Sequence, residues 1–233
     1  MPDFERIEPV RHPYSDCVRA VMPKMDMRRY VPWLESRYVQ ELGGAIEPMC
    51  VNSCDEVFAM GYESVVNCTG IGAGKLANDR SVTPYRGQIL RVRNLIGLKE
   101  CLLEESREEI GSYVFGFDDY LVLGGTFERG QTNLIPEPTA IEAIVSRCQA
   151  LLVAGGVTQV EKLADERIAA LAGLRPCRDI GPLHEAVRLE QEHRSDGKTL
   201  VHNYGHGRAG VTLSWGCANQ VVELLEAAGI RSL

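Results

Sequence analysis

A glycine-rich turn near the end of this 233-residue chain is the sequence feature that most limits the folds the chain can adopt. Residues 199–203 predict a short apolar strand, and residues 211–228 predict an apolar helix. Between them, Gly205, Gly207 and Gly210 have the spacing G-x-G-x-x-G. In a strand–turn–helix context such glycines let the backbone approach a ligand, and the first helical turn offers free N–H groups to an electron-rich group. The spacing alone leaves two interpretations open, a ligand-binding turn and a glycine-rich loop that only packs.

The turn does not begin a complete dinucleotide-binding βαβ unit. Such a unit continues into a second strand, where an acidic residue about 20 residues further on holds the ribose. Here the sequence reaches Leu233 directly after the predicted helix. We therefore expect the turn to close a domain, with most of its ligand held by other residues.

The composition is that of an ordinary globular protein. Hydrophobic residues make up 45% and charged residues 24%, enough for one large or two small domains. The net charge of −7 argues against nucleic acid or a polybasic membrane contact. No apolar run is long enough for a transmembrane span. Residues 1–10 are polar and acidic and lack the basic and apolar regions of a signal peptide.

The eight cysteines are scattered and include no C-x-x-C pair. Cys68, Cys148 and Cys217 lie in apolar runs and are predicted to be small core residues. Cys50 and Cys54 have the wrong spacing for a zinc site and no paired histidine nearby. We expect reduced thiols in an intracellular compartment and no bound metal.

Residues 29–77 alternate helices and strands in the manner of an α/β layer. The pattern predicts a helix over 30–41 that stops at Gly43 and Gly44, a strand over 45–51, a helix over 54–60 capped by Ser53, and a buried strand over 64–70. A continuous apolar strand between helices favours a parallel sheet. Residues 1–28 are predicted to be irregular because prolines interrupt them.

After Pro84 the pattern becomes that of an antiparallel sheet with a helix beside it, an α+β arrangement. Strands are predicted over 87–92, 187–192 and 199–203, a hairpin over 113–117 and 120–124, and a helix over 138–153. Residues 167–174 have helical propensity, but they lead into Arg175 and Pro176, which also permits a strand. We predict a strand for the last part of that segment.

Five short motifs occur in the order and approximate spacing of one protein family. They are VVNCTG at 65–70, RGQI at 86–89, LGGT at 123–126, GLRP at 173–176 and HNYGHG at 202–207. On these motifs the chain resembles the D-amino-acid oxidase and D-aspartate oxidase family from about Tyr30 onward. Each motif alone is weak, but together they are highly specific.

The resemblance implies FAD-dependent oxidation of D-amino acids to imino and 2-oxo acids, with O2 reduced to hydrogen peroxide. It also implies a partial Rossmann-like FAD-binding domain, α/β in class, interleaved with an antiparallel-sheet substrate domain, α+β in class. We assign residues 1–83 and 199–233 to the first and residues 84–198 to the second. The partners would be FAD, a small D-amino acid and O2, with a homodimer as a candidate assembly and neither nucleic acid nor membrane expected.

Three residues are implied to bind substrate. Arg175 matches the arginine that grips the carboxylate, a role that suits a bidentate, permanently charged guanidinium; without the resemblance it would be taken for a surface arginine. Tyr113 matches a tyrosine whose hydroxyl reaches the same carboxylate, the alternative being a strand aromatic that packs in a core. Arg208 stands where oxidases of neutral substrates usually have glycine, and its backbone carbonyl is implied to hold the substrate amine.

The implied cofactor-binding residues are mostly consecutive. The loop and helix start that face the flavin ring match Gly207, Arg208, Ala209, Gly210, Val211 and Thr212. A helix N-terminus there stabilises the negative charge of reduced flavin without a cationic side chain. Val51 matches a residue whose backbone meets the adenine end of FAD, and a buried strand valine is the alternative. No catalytic base is assigned, since the protein supplies orientation and FAD supplies the electron chemistry.

Two histidines near the turn invite a metal or acid–base interpretation. No cluster of carboxylates accompanies His202 and His206. We therefore predict hydrogen-bonding loop histidines and no metal site.

The chain departs from the family pattern at its start and at one lid position. The family begins with a strand and a G-x-G-x-x-G turn well before its equivalent of Tyr30, and these residues contain no such segment. We therefore expect the residues of this chain to hold FAD weakly by themselves. A truncated, non-catalytic relative that acts as a binding or regulatory partner is thus an alternative. A third hypothesis is an oxidase of glycine or sarcosine, but the GLRP and HNYGHG motifs argue against it. Glu109 stands where D-amino-acid oxidases have a lid tyrosine.

Two arginines favour an acidic D-amino acid such as D-aspartate. Arg208 beside the flavin loop and Arg129 after the Gly124–Gly125 turn would place positive charge near a second carboxylate. The alternative is two solvated surface arginines, which are common.

The last three residues bear on localisation. Arg231, Ser232 and Leu233 keep the final leucine of a Ser-Lys-Leu peroxisomal signal but not its small–basic order. We expect a peroxisomal protein, with the cytoplasm as the alternative.

Overall fold

The structure, a computed structural model, describes residues 4–7, 16–104, 111–180 and 186–230. Its contacts divide the chain into two compact units: unit 1 comprises Met1–Met49, Gln88–Thr126 and Pro136–Leu171, and unit 2 comprises Cys50–Gly87, Phe127–Ile135 and Ala172–Leu233. These bounds differ from the predicted ones, because the first 49 residues group with the middle of the chain and residues 172–198 group with its end. The cofactor and substrate roles given to the two domains stay predictions.

The described ranges contain eleven strands and five α-helices. The strands are β1 Phe4–Ile7, β2 Cys17–Ala20, β3 Ser64–Asn67, β4 Val82–Arg93, β5 Cys101–Leu103, β6 Tyr113–Gly116, β7 Tyr120–Gly124, β8 Glu128–Arg129, β9 Arg167–Arg178, β10 Arg188–Glu192 and β11 Thr199–Tyr204. The helices are α1 Met27–Ser36, α2 Cys54–Ala59, α3 Ala73–Leu76, α4 Pro138–Ala154 and α5 Gly210–Ala227. Within these ranges no helix is both long and apolar enough to cross a membrane.

Unit 1 is built on an antiparallel sheet with one long helix. β5, β6, β7 and the second half of β4 are neighbours in that order. α4 buries Ile144, Cys148 and Leu152 in the same core as Leu121 and Leu123 of β7. Burying each large apolar side chain contributes roughly 1.5–3 kcal/mol, so this cluster stabilises the unit. The predicted hairpin and the predicted helix at residue 138 are confirmed.

Unit 2 is built on a three-stranded sheet in the order β10-β11-β3. β11 runs parallel to β3 and antiparallel to β10. α2 packs on this sheet through Phe58 and Leu200, and its N-terminus is capped by Ser53, whose hydroxyl accepts from the N–H of Glu56. The predicted parallel pairing and the predicted cap are confirmed.

Several predictions about local structure were wrong. Residues 45–51 form no strand, since they are mostly exposed and pair with no other strand among the described residues. Residues 4–7 and 17–20, predicted to be irregular, form the antiparallel pair β1–β2. Residues 167–174 are extended throughout and not only at their end, because β9 pairs with β4 and this pairing overrides helical propensity.

All eight cysteines are free thiols. Cys148 and Cys217 are buried as predicted, and burial raises the pKa of the Cys148 thiol to about 11. Cys68 was predicted to lie in the core but is exposed, one residue beyond the end of β3.

Candidate functional site

Arg175 lies in the part of β9 that belongs to unit 2. The residues that follow it on this strand are hydrogen-bonded to the loop that precedes α5. The N–H of Gly207 donates to the carbonyl of Pro176 at 3.0 Å. Cys177, which follows Pro176, and His206, which precedes Gly207, form an antiparallel bridge. The structure therefore brings the predicted carboxylate-binding strand and the predicted flavin-facing loop together within one unit.

The Arg175 guanidinium packs against a backbone and an aromatic ring. A Cβ added at Gly87 would overlap its Nη1, Cζ and Nη2 atoms, so the guanidinium lies directly against β4. Its Cζ is 5.4 Å from the centroid of the Phe127 ring, and the Cζ of Arg208 is 5.7 Å from the same centroid. Both distances are within the range of a cation–π interaction. Two of the three predicted substrate-binding residues thus share one aromatic neighbour.

The N-terminus of α5 has no side-chain cap. The N-cap position is Ala209, and no acidic residue lies in the first turn. The N–H of Leu213 pairs with the carbonyl of Ala209 at 2.9 Å. The three N–H groups before it, on Gly210, Val211 and Thr212, belong to the first turn, which has no intrahelical acceptors. An uncapped helix start of this kind fits an electron-rich or anionic group such as reduced flavin.

A mostly shielded carboxylate, that of Asp79, holds the strands around the turn. Asp79 accepts hydrogen bonds from the Tyr204 hydroxyl at 2.9 Å, from Nε of Arg178 at 2.8 Å, and from Ser81. The Tyr204 hydroxyl in turn accepts from Nη1 of Arg188 at 2.9 Å. Burial raises the pKa of Asp79, but hydrogen bonds from Ser81, Tyr204 and Arg178 outweigh it and bring the pKa to about 2. Asp79 therefore remains ionised and ties together β9, β10 and β11.

The glycine turn itself requires glycine at two positions. Gly205 and Gly207 have φ angles of +87° and +55°, in the left-handed region that residues with a Cβ rarely adopt. A Cβ at Gly205 would in addition lie 2.5 Å from Cδ of Arg178. A residue with a Cβ at either position would therefore strain the turn that meets β9.

His202 is fully buried on β11 and not in a loop. Its Nδ1 is 3.3 Å from the amide nitrogen of Asn67, and its Nε2 is 3.0 Å from a carboxylate oxygen of Glu192. With Nδ1 accepting from the amide, Nε2 carries the proton and donates to Glu192. The hydrogen-bonding role is confirmed, whereas the loop location was wrong.

His206 is half-buried, and burial lowers the pKa of its imidazole, which is therefore neutral at pH 7. No group of three or more potential metal ligands occurs in the part of the chain that the structure describes.

Tyr113 lies in unit 1, on β6. It is directly opposite Gly124 of β7, and a Cβ added at Gly124 would overlap the hydroxyl end of its ring. The ring also packs against Phe115, with 5.1 Å between the centroids. The carboxylate-binding role of Tyr113 stays a prediction.

Val51 is half-buried and precedes α2. The N–H of the next residue, Asn52, donates to the Glu56 carboxylate at 2.8 Å, and its side-chain oxygen accepts from Lys75 at 2.8 Å. These polar groups bind one another at the start of α2. Contact between Val51 and the adenine end of FAD stays a prediction.

The positive charge of Arg129 is balanced by the carboxylate of Asp179. Its Nε and Nη2 donate to the same oxygen of Asp179 at 2.9 and 2.6 Å. The pairing of Arg129 with Asp179 therefore removes one of the two arguments for an acidic substrate. Glu109 and residues 231–233 lie outside the described residues.

Sequence reasoning missed the residues that surround the predicted ligands. Phe127 and Asp79 belong to no motif and carry no local signal. Gly87 and Gly124 belong to the RGQI and LGGT motifs, which indicated the family, but their closeness to Arg175 and Tyr113 was not predicted. A glycine within a predicted strand is the signal that would have found them, since it often marks a close approach to the backbone.

Comparisons with known proteins agree with the resemblance. Residues 3–224 match the DAO family, described as FAD dependent oxidoreductase. The D-amino-acid oxidase of Rubrobacter xylanophilus is 42% identical over 211 residues, which are 90% of this chain and 60% of that protein. The D-amino-acid oxidase of Streptomyces coelicolor is 40% identical over 207 residues, covering 88% of this chain and 59% of that protein. The crystal structure of glycine oxidase from Bacillus cereus superimposes with a TM-score of 0.55 at 26% identity, covering 73% of this chain and 44% of that chain.

The chain belongs to the family of FAD-dependent oxidoreductases. The predicted family, the α/β-containing fold class and FAD as the cofactor are thereby confirmed. The chain spans about three fifths of the length of the curated relatives it matches.

Proposed function

We propose that this chain provides the carboxylate-binding and flavin-facing part of an enzyme that oxidises D-amino acids to imino acids, which water then hydrolyses to 2-oxo acids and ammonia. When bound, FAD would supply the redox chemistry: it would accept the Cα hydrogen with its electron pair, and O2 would take up those electrons with two protons to give hydrogen peroxide. The identity of 42% and 40% to two D-amino-acid oxidases supports the reaction class.

The observation that carries the proposal is the hydrogen bond from Gly207 to Pro176. It fixes the residue after Arg175 to the residue before Arg208, three positions ahead of α5. A substrate carboxylate on Arg175 is thereby held near the helix start that suits reduced flavin. Orientation of this kind supplies a large part of catalysis when the protein itself does little covalent chemistry.

Each residue of unit 2 then has a defined task. The Arg175 guanidinium binds the carboxylate through two parallel hydrogen bonds. The Arg208 carbonyl accepts a hydrogen bond from the substrate amine. The N–H groups of Gly210, Val211 and Thr212 would hold the electron-rich side of the flavin and stabilise the charge that develops on reduction.

The proposal is tested by assaying the protein with saturating FAD. D-alanine, D-aspartate, glycine and sarcosine are offered in turn, and hydrogen peroxide and 2-oxo acid are measured, with Arg175→Ala as the matched inactive control. We expect turnover of a D-amino acid and little from Arg175→Ala. Protein that binds FAD yet oxidises none of the four would support the non-catalytic relative instead. Faster oxidation of glycine or sarcosine than of the D-amino acids would support an oxidase of glycine or sarcosine.

An acidic D-amino acid is the substrate that we propose within this class. Arg208 and Arg175 both lie beside Phe127, so a second guanidinium is close to the proposed carboxylate anchor. Arg129, paired with Asp179, no longer contributes to this argument.

Peroxisomal localisation and a homodimer remain proposals that rest on the sequence and the resemblance. A fluorescent fusion with a free C-terminus that stays diffuse in cells would contradict the first. A monomer in sedimentation equilibrium would contradict the second.

A further inference from the structure

Gly87 occupies the interior of β4, where glycine is normally unfavourable. It leaves no side chain to pack and lowers strand stability. Its φ lies outside the left-handed region, so the backbone conformation does not require glycine. The strand is regular on both sides: Arg86 is opposite Glu128 of β8, and Ile89 is opposite Gly124 of β7. Neither a turn nor strain explains this glycine.

The residues on either side of this glycine hold the backbone in place. Arg86 is 3% exposed, and its Nε donates to the Glu128 carboxylate at 2.6 Å. Gln88 is fully buried; its N–H donates to the Thr126 hydroxyl at 3.0 Å, and its side-chain oxygen accepts from the N–H of Glu137 at 2.7 Å. Because these groups are buried and hydrogen-bonded, β4 cannot easily move to relieve a clash.

The clash that a side chain would cause falls on Arg175. The three heavy atoms nearest to a Cβ at Gly87 are Nη1, Cζ and Nη2 of that guanidinium. They form the end of a long, flexible side chain, so the strain would be relieved by moving the guanidinium and not by unfolding the strand.

We propose that Gly87 is a positioning residue for Arg175. Its missing side chain lets the guanidinium lie against β4 beside Phe127, in the orientation that binds a substrate carboxylate. This inference rests on the proposed function, in which Arg175 is the carboxylate anchor. Gly87→Ala should therefore fold yet bind carboxylate poorly.

The chain offers a matched control on the strand that carries Arg175. Gly173 is exposed, has a φ outside the left-handed region, and a Cβ added there would meet nothing within 4 Å. Gly173→Ala makes the same chemical change two residues from Arg175 without touching the guanidinium.

Nuclear magnetic resonance of protein with ¹⁵N-labelled arginine reports the guanidinium position without any turnover. The Nε–Hε signal of Arg175 is assigned by its loss in Arg175→Lys, and the nearby Phe127 ring makes its shift sensitive to position. We expect Gly87→Ala to move this signal and Gly173→Ala to leave it in place. An unchanged signal in Gly87→Ala would overturn the inference.

Anaerobic titration with D-alanine, followed on the same signal, then tests the consequence for binding. A displacement of about 1 Å can cost on the order of 100-fold in a positioned site, so Gly87→Ala should need at least about tenfold more D-alanine than Gly173→Ala. Equal affinity in the two variants would overturn the positioning role. A wild-type signal that responds neither to D-alanine nor to D-aspartate would instead refute Arg175 as the anchor, and with it the proposed function.

A second variant covers the case in which Gly87→Ala does not fold. Arg175→Lys removes the forked end that a Cβ would overlap. If the double variant Gly87→Ala, Arg175→Lys folds while Gly87→Ala does not, the guanidinium is the clashing group, as proposed. If both fail to fold, Gly87 serves the strand itself and the inference is wrong.

Discussion

The ring of Tyr113 covers Gly124 across the β6–β7 pair in unit 1. The hydroxyl of Tyr113 reaches the next glycine as well, since a Cβ at Gly125 would lie 2.9 Å from it. Gly87 and Arg175 have the same relationship in unit 2. In both units a glycine from one of the family motifs makes room for a side chain that the resemblance assigns to the substrate.

Gly124→Ala should destabilise the protein by about 1–3 kcal/mol, the usual cost of overpacking a well-packed site. The Tyr113 ring is stiffer than an arginine and is packed against Phe115, so it cannot move away cheaply. The measurement is the free energy of unfolding in urea. In a Tyr113→Val background the ring is absent, and Gly124→Ala should then cost much less. An equal cost in both backgrounds would show that the clash lies elsewhere.

Arg175→Lys should lower kcat/KM at least tenfold, chiefly through a higher KM, and leave FAD binding unchanged. Lysine keeps the charge but loses the fork that holds a carboxylate, and a charge-assisted hydrogen bond is worth about 1.5–3 kcal/mol. Steady-state kinetics with D-amino acids at saturating FAD provide the measurement. Arg167→Lys, on the same strand but paired with Glu142 at 2.7 Å, is the control. Kinetics as in Arg167→Lys would mean that Arg175 is an ordinary arginine.

Arg208→Ala should reduce kcat/KM for D-aspartate more than for D-alanine. The backbone carbonyl of residue 208 remains in the variant, so binding of the substrate amine is kept and only the charge beside Phe127 is lost. Arg129→Ala removes an arginine that is already paired with Asp179 and should leave the ratio of the two substrates unchanged. A clear preference of the wild type for D-alanine would defeat the proposal of an acidic substrate.

Asp79 should make stability fall between about pH 4 and pH 2. Its pKa is lowered to about 2 in the folded protein, against the ordinary aspartate value of 3.8. Stability from a lowered pKa is complete above the unfolded value and is lost as pH falls through the folded value, here on the order of 2 kcal/mol. Asp26 and Asp179 also have lowered pKa values, so both proteins should lose stability as pH falls, but urea unfolding at a series of pH values should show a smaller loss in Asp79→Asn than in the wild type. Asp118→Asn, in an exposed turn, should retain the wild-type pH dependence.

Much of the local structure was predictable because its signals are local. The helix predicted over 138–153, with a proline near its first turn, ends within one residue of the observed end of α4. Ser53 marked the start of α2, and the turn residues Asp118 and Asp119 marked the β6–β7 hairpin. The order of five motifs gave the family and its cofactor, since each motif is a short run of adjacent residues.

What the sequence could not determine depends on partners that are distant in the chain. β9 is a strand because β4 pairs with it, and residues 45–51 are not a strand because no described strand pairs with them. Arg129 is compensated by Asp179, and Gly87 is needed by Arg175, at separations that no local spacing encodes. The sequence by itself determined many of the helices and strands, the family and the candidate residues. Only the tertiary structure decided which of those residues meet, because hydrogen bonds, ion pairs and steric exclusion act between side chains that folding brings together.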